Sequence, residues 1–252
     1  MDIAKRKLQS TKPESMRAAC SHCRLGKLCF SHALPAAFRT LLPIADVQRS
    51  QLARGETLFS AGKPQTGIHA IKAGFLKTSI PLPDGQSKII GFHAMGDTLG
   101  LDGLGRGNHT TDAVALSSCE VCVIPLERFE KLLVHPTESI HVRQLLAREL
   151  SRVQMHAASI GVLTAKQRVA TFLLDMSGRW EARGYSKNEF VLFMSRFEIG
   201  NYLGLTFETI SRTFSYFQAK KWLTVHGKSV LILNMPALQA QLVSPNQEFA
   251  NT

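Results

Sequence analysis

No apolar run in this chain approaches the roughly 18–20 residues that span a bilayer, so no membrane partner is expected. Residues Met1 to Arg17 are polar and charged. They offer no stretch for a secretory signal, and the protein is expected to stay in the cytoplasm. Thiols are kept reduced there, so a disulfide framework is not expected of the five cysteines. That leaves metal ligation, thiol reactivity or burial as small hydrophobes. Enzyme signatures are also missing. There is no dinucleotide-binding fingerprint, P-loop or nucleophile–His–acid constellation, and the nine histidines are scattered. The chain does not read as an enzyme. Acidic residues are scarce as well: 19 Asp+Glu face 30 Lys+Arg, a formal net charge of +11. Such a balance favours a polyanionic partner through counterion release on phosphate contact.

The 252 residues are enough for two modest domains, each with its own core. From about residue 50 to 127 the chain breaks into short β-type runs: Thr57 to Phe59, Gly67 to Ile71, Phe75 to Ile80, Lys88 to Phe92 and Glu120 to Ile124. Gly62-Lys-Pro64, Pro83-Asp-Gly85, Met95-Gly-Asp97 and the segment Gly103 to Gly107 punctuate them. Many short strands separated by Gly and Asp turns suggest an all-β barrel or jelly roll.

A helical pattern starts near Thr137. Val142, Leu146, Leu150, Val153, Ala157 and Ile160 recur at steps of four, four, three, four and three. Their flanks are polar, including Arg143, Arg148, Glu149, Arg152 and His156. One narrow apolar stripe on a long helix is the pattern of a coiled-coil seam, and a two-fold helix–helix homodimer is expected. A second helical stretch, Gln167 to Arg179, leads to a turn at Gly184 and an expected short strand pair.

The segment from Ser195 to Arg212 has the pattern of a helix-turn-helix. Ile199 and Leu203 give a first helix its buried face, and Gly200 is small where a second helix would cross. Gly204 suits a sharp turn with positive φ. Thr206 is a good N-cap for the next helix, whose inward face is Ile210 and Phe214. Glu208, Ser211 and Arg212 then share the outward face near the N-terminus of that helix, where a recognition helix meets base edges. Arg can bond guanine O6 and N7 together, and Glu can accept from cytosine N4. Thr206, Thr209 and Lys228 complete the expected DNA contacts. Lys220, Lys221, His226 and Lys228 fall in and around a β-wing, Leu223 to Leu233, where the lysines suit phosphate contact.

Cys20-x2-Cys23-x5-Cys29 places three thiols within ten residues. A fourth must come from Cys119 or Cys122, which β alternation alone does not separate. Iron–sulfur clusters commonly take four cysteines. Zinc is the competing metal, although its structural sites more often use two closely spaced pairs.

Together these pieces resemble the fumarate and nitrate reduction regulator (FNR) branch of the cyclic-AMP receptor protein (CRP/FNR) superfamily. The resemblance covers roughly residues 18–235. It rests on the N-terminal cysteines, Ile90-Gly-Phe-His93, Cys122-Val-Ile-Pro125, Ile199-Gly-Asn-Tyr-Leu-Gly-Leu205 and Glu208-Thr-Ile-Ser-Arg212. It implies an α+β protein with four parts: a cysteine-rich cluster-binding segment (1–30), a β-roll sensor domain (31–135) of jelly-roll, cyclic-nucleotide-binding-like type, a dimerisation helix (136–163) and a winged helix-turn-helix (164–252). It implies a [4Fe-4S] cluster on Cys20, Cys23, Cys29 and Cys122, which favours the dimer when intact and is converted or lost on contact with oxygen. Cys119 is then a structural thiol.

The implied DNA is a palindrome with TTGAT-like arms, read about one turn, roughly 34 Å, apart. RNA polymerase is the implied partner for activation. No cyclic nucleotide is expected. Receptors of the superfamily's cyclic-nucleotide branch carry a Glu after a Gly and an Arg-Ser or Arg-Thr pair further on, whereas Leu101 stands at the Glu position and no Arg precedes Thr110. The family's dimer helix often carries an acid in its seam that keeps the cluster-free protein monomeric. The matching position here is Val153, so the cluster-free form is expected to dimerise more readily than its relatives.

Overall fold

The computed structural model describes residues 47–134 and 139–242. Cys20, Cys23 and Cys29 lie outside the described residues, as does the expected helix start at Thr137. The chain divides into two compact units between Glu149 and Leu150, within one long helix.

The first unit is a β-roll followed by helices. Its strands are β1 (Gln48–Leu52), β2 (Thr57–Phe59), β3 (Gly67–Ala73), β4 (Phe75–Pro81), β5 (Ser87–Ala94), β6 (Thr98–Leu99), β7 (Asp112–Ala115) and β8 (Cys119–Pro125), with a 3-10 turn at Leu101–Gly103. They form two four-stranded antiparallel sheets, in the orders β1-β8-β3-β6 and β2-β7-β4-β5. Ile71, Leu99, Cys119 and Val121 of the first sheet meet Leu76, Ala113 and Ala115 of the second in one apolar core.

Successive side chains on a strand point to opposite faces, which is how β3 and β8 serve two layers. Ile68 and Ile124 face away from the inter-sheet core. They are covered by Phe129 and Leu132 of helix α1 (Leu126–Val134) and by Val142 of helix α2 (Ser139–Val162). The near-continuous burial of β3 follows from this double cover.

The second unit begins within α2 and holds α3 (Ala165–Glu181), β9 (Glu189–Val191), α4 (Arg196–Leu203), α5 (Phe207–Ala219), β10 (Leu223–His226), β11 (Ser229–Ile232) and α6 (Met235–Ala240). Thr164 opens α3 with a capping box: its hydroxyl accepts from the Gln167 N–H, and the Gln167 side chain accepts from the Thr164 N–H at 2.9 Å. The core packs Val169, Phe172 and Leu173 of α3, Ile199 and Leu203 of α4, and Ile210, Phe214 and Phe217 of α5, all buried. The expected strand pair after Gly184 is a single strand, β9. It joins β11 and β10 in a three-stranded sheet, because its partner lies about forty residues on and not next to it.

Candidate functional site

The helix-turn-helix is set by local chemistry. Ser195 caps α4 through a reciprocal box: its hydroxyl accepts from the Glu198 N–H at 3.2 Å, and the Glu198 carboxylate accepts from the Ser195 N–H at 2.8 Å. The helix ends at Gly204, in the left-handed region at φ 65°. A Cβ on Gly200 would stand 2.6 Å from the Leu205 carbonyl oxygen, so only glycine lets the turn fold back this tightly. Thr206 caps α5, its hydroxyl accepting from the Thr209 N–H at 3.2 Å. The side chains of Ile210, Thr213, Phe214 and Phe217 point inward.

On the opposite face of α5, Glu208 and Arg212 are exposed, and Ser211 and Thr209 are half-buried. The Glu208 carboxyl is held below its ordinary range, first by its own backbone N–H at the helix start and then by the Thr206 hydroxyl, against an opposing desolvation that outweighs the smaller help from Arg212. A carboxylate acceptor and a guanidinium donor therefore stand one turn apart on the outward face of the second helix. Lys228 is exposed in the β10–β11 turn beside Gly227, which has φ 60°. Lys220 and Lys221 are exposed at the end of α5.

Some residues that hold this reading head were not singled out in the sequence. Arg168 donates from Nε to the Leu163 carbonyl at 2.9 Å and from Nη1 to the Leu203 carbonyl at 3.1 Å, so one guanidinium serves the C-terminal ends of both α2 and α4. His156 of α2 stacks on Tyr202 of α4 at 3.9 Å, with the rings 7° from parallel. The Arg196 guanidinium lies 3.2 Å over the ring of Phe214, and burial lowers its pKa to about 10. No spacing rule exposes the pairs Arg168–Leu203, His156–Tyr202 and Arg196–Phe214, since each joins residues more than ten positions apart.

Of the residues singled out for the helix seam, Leu150, Val153 and Ala157 are exposed, Leu146 is at the edge of exposure, and Ile160 is half-buried. Val142 differs. It is fully buried against Ile68, Ile124, Phe129 and Leu132, so it serves the core of the β-roll and has no surface to offer a second helix.

The two cysteines of β8 are separated by the pleat. Cys119 is buried in the inter-sheet core, its single S–H shared between the carbonyls of Phe75 and Ser117, each 3.3 Å from Sγ. Cys122 lies on the other face, half-buried beside Ala70 and Met95 and opposite Arg49 of β1. Glu120 shares that face and is ion-paired to Lys72 at 2.8 Å and to Arg49 at 3.5 Å. Leu101 belongs to the 3-10 turn and packs against the cluster containing Ile68 and Ile124.

A β-roll joined to a winged helix-turn-helix, with an acid and an arginine on the outward face of the second helix, defines a DNA-binding transcription regulator. The cyclic nucleotide-binding domain family matches residues 49–135, and the Crp-like helix-turn-helix domain family matches residues 167–241. The chain belongs to the fumarate and nitrate reduction regulator branch of the CRP/FNR family. It is 39% identical over 234 residues to the transcriptional regulatory protein btr of Bordetella pertussis, covering 92% of this chain and 97% of that protein. It is 35% identical over 232 residues to the fumarate and nitrate reduction regulatory protein of Escherichia coli K12, covering 92% of each. FixK2 from Bradyrhizobium japonicum has a similar solved structure, with a TM-score of 0.72, 27% identity, and coverage of 79% of this chain and 98% of that one. The relatives are named transcriptional regulators and activators, not enzymes. Among the described residues no helix is long and apolar enough to cross a membrane.

Proposed function

We propose that this regulator responds to oxygen through a [4Fe-4S] cluster on Cys20, Cys23, Cys29 and Cys122, and that it binds TTGAT-like palindromic DNA as a cytoplasmic homodimer to control anaerobic or microaerobic genes. The observation that carries the reading is the different placement of the two β8 thiols. Cys122 stands half-exposed on the outer face of the sheet, a position suited to a ligand shared with the N-terminal Cys20-x2-Cys23-x5-Cys29 run. Cys119 is buried and shares its S–H between the Phe75 and Ser117 carbonyls. Cys20, Cys23, Cys29 and Cys122 would hold the cluster through their thiolates and so tie the N-terminal segment to β8, and the cluster would supply the sensitivity to oxygen.

The chain's own residues do the rest. Leu146, Leu150, Val153, Ala157 and Ile160 form an apolar seam along α2 for a second copy. Pairing of that seam presents both α5 helices to successive major grooves, a population shift between unpaired and paired forms. Glu208, Ser211 and Arg212 read base edges, while Thr206, Thr209 and Lys228 contact backbone or sugar. RNA polymerase is the partner for activation.

The test is an anaerobic visible spectrum of the purified protein, followed after admitting air. A broad brown absorption that bleaches in air, kept by Cys119→Ser and lost by Cys122→Ser, is the expected result. A colourless protein carrying stoichiometric zinc would leave the DNA-binding regulator and remove oxygen sensing by cluster chemistry.

A further inference from the structure

The loop after β6 closes on a carboxylate of its own chain. Asp102 sits in the 3-10 turn Leu101–Gly103. One of its oxygens, Oδ2, accepts from the Thr110 N–H at 2.7 Å, the Thr111 N–H at 3.0 Å, the Thr111 hydroxyl at 3.0 Å and the Thr110 hydroxyl at 3.3 Å. The other, Oδ1, lies 3.2 Å from Nδ1 of His109. Two consecutive backbone N–H groups aimed at one point make an anion-binding concavity. Two hydroxyls and an imidazole complete a five-donor cradle.

The surrounding side chains hold that cradle rigid. His109 is buried and stacks on Phe59 at 3.8 Å, with the rings 9° from parallel. Gln65 donates to the Gly100 carbonyl. Gly103 fits so closely over Gln65 that a Cβ there would stand 2.7 Å from Oε1. Gly107, at φ 73°, turns the chain back toward Thr110 and Thr111. The Asp102 side chain keeps 18% of its surface in solvent, so the cradle has an open mouth. Burial pushes the Asp102 carboxyl up, but the Thr110 N–H, His109 and the Thr111 hydroxyl outweigh it and hold the group below the ordinary aspartate range.

We propose that Asp102 is a built-in anion. Its carboxylate fills an oxyanion-binding site made by His109, Thr110 and Thr111, so the loop of the β-roll closes without a small molecule. Removing that carboxylate uncovers a site for a small oxyanion such as acetate or inorganic phosphate. A tethered carboxylate has a high effective concentration at its own cradle, so free anions do not displace it from the native chain. The Asp102→Gly substitution deletes the CH2–COO⁻ group, and acetate has the same heavy atoms.

The experiment is thermal unfolding of the full-length chain, followed by far-ultraviolet circular dichroism in chloride, acetate or phosphate at matched ionic strength. The native chain is expected to melt at the same temperature in all three. D102G is expected to melt about 5 °C or more lower in chloride, and to recover at least half of that loss, saturably, in acetate or phosphate. Recovery no larger than any shift seen in the native chain would overturn the proposal. Should D102G not fold, Asp102→Asn keeps the shape and one acceptor oxygen without the charge. Faster hydrogen exchange of the Thr110 and Thr111 amides in D102N, with β3 protection unchanged, is then expected. Unchanged exchange at both threonines would sink the idea.

Discussion

The two units of this molecule are built on different principles. Among the described residues, the buried polar side chains Gln65, His69, Thr78, Ser79, His93, Thr98, His109 and Thr111 all lie in the β-roll. The DNA-binding unit buries only Ser177 and Thr213 in that class. Its interior is Phe172, Leu173, Ile199, Ile210, Phe214 and Phe217, and its polar groups are spent on helix caps at Thr164, Ser195 and Thr206. An apolar core with capped helices makes a stiff reading head that presents one face in one geometry. A β-roll with imidazoles inside it has a stability that answers to protons as well as to packing.

Measurements on each unit test that difference, in order of decreasing effect. Phe217 is fully buried in the DNA-binding unit, and Phe217→Ala should cost that unit about 3–5 kcal/mol. Both tryptophans, Trp180 and Trp222, lie in this unit, so their fluorescence follows it selectively. A chemical-denaturation midpoint unchanged by that substitution would contradict the burial of Phe217.

Acid should act on the other unit. His69 is buried at 5% exposure, and its pKa is lowered from 6.5 to about 4, chiefly by burial and then by His109, with Asp102 acting the other way. Between those values the unfolded chain binds a proton that the folded domain refuses. Stability is therefore present above about pH 6.5 and is lost as pH falls toward 4, by about 3 kcal/mol. Asp102 works in the same direction at lower pH, since its depressed carboxyl stabilises the fold above the unfolded aspartate value and less below it. The expected result is a circular-dichroism transition that moves with acid ahead of the tryptophan transition, and a flatter response in His69→Phe. Coincident transitions at every pH would remove the contrast.

Arg212→Ala should lower affinity for a TTGAT-like site by about 1–3 kcal/mol per half-site and relax specificity at one base, read by DNA titration at fixed salt. Lys228→Ala should instead weaken all sequences alike and reduce the salt slope by about one. Thr206→Ala should cost about 1 kcal/mol of stability through the lost cap, with tryptophan fluorescence as the readout. The seam adds a further comparison. With Val153 exposed on α2, the cluster-free protein should sediment as a dimer at micromolar concentration and Val153→Asp as a monomer. A monomeric native apoprotein would refute it.

The helix-turn-helix was readable because its signals are local. Gly200, Gly204 and Thr206 each act within five residues of their own position, through a close approach, a positive φ or a cap; the Ser195 cap is equally local but was not singled out. In the β-roll, strands rich in β-formers such as β3 and β8 were recognisable. However, β1 (Gln48–Leu52) has almost no apolar alternation, and β7 is a short Asp-Ala-Val-Ala run. Both exist because partners far along the chain supply their hydrogen bonds: Gln48 pairs with Val123, and Thr57 with Val114. The stripe on α2 was legible as a stripe, but not where it changes allegiance. Val142 has the same chemistry as Val153 and the opposite environment, and only the packing of α1 against β3 and β8 decides that.

The amino-acid order by itself determined the elements whose causes lie within a turn or two. These are the capped helices, the turn glycines, the outward placement of Glu208 and Arg212, the basic charge and the clustering of three cysteines. Tertiary structure alone decided which β8 thiol faces outward, which end of the α2 stripe stays exposed, and that His109, Thr110 and Thr111 close on Asp102. The physical reason is range. Propensity, capping and periodicity act between neighbours, while burial, pleat direction and donor convergence depend on segments that only the folded chain brings together.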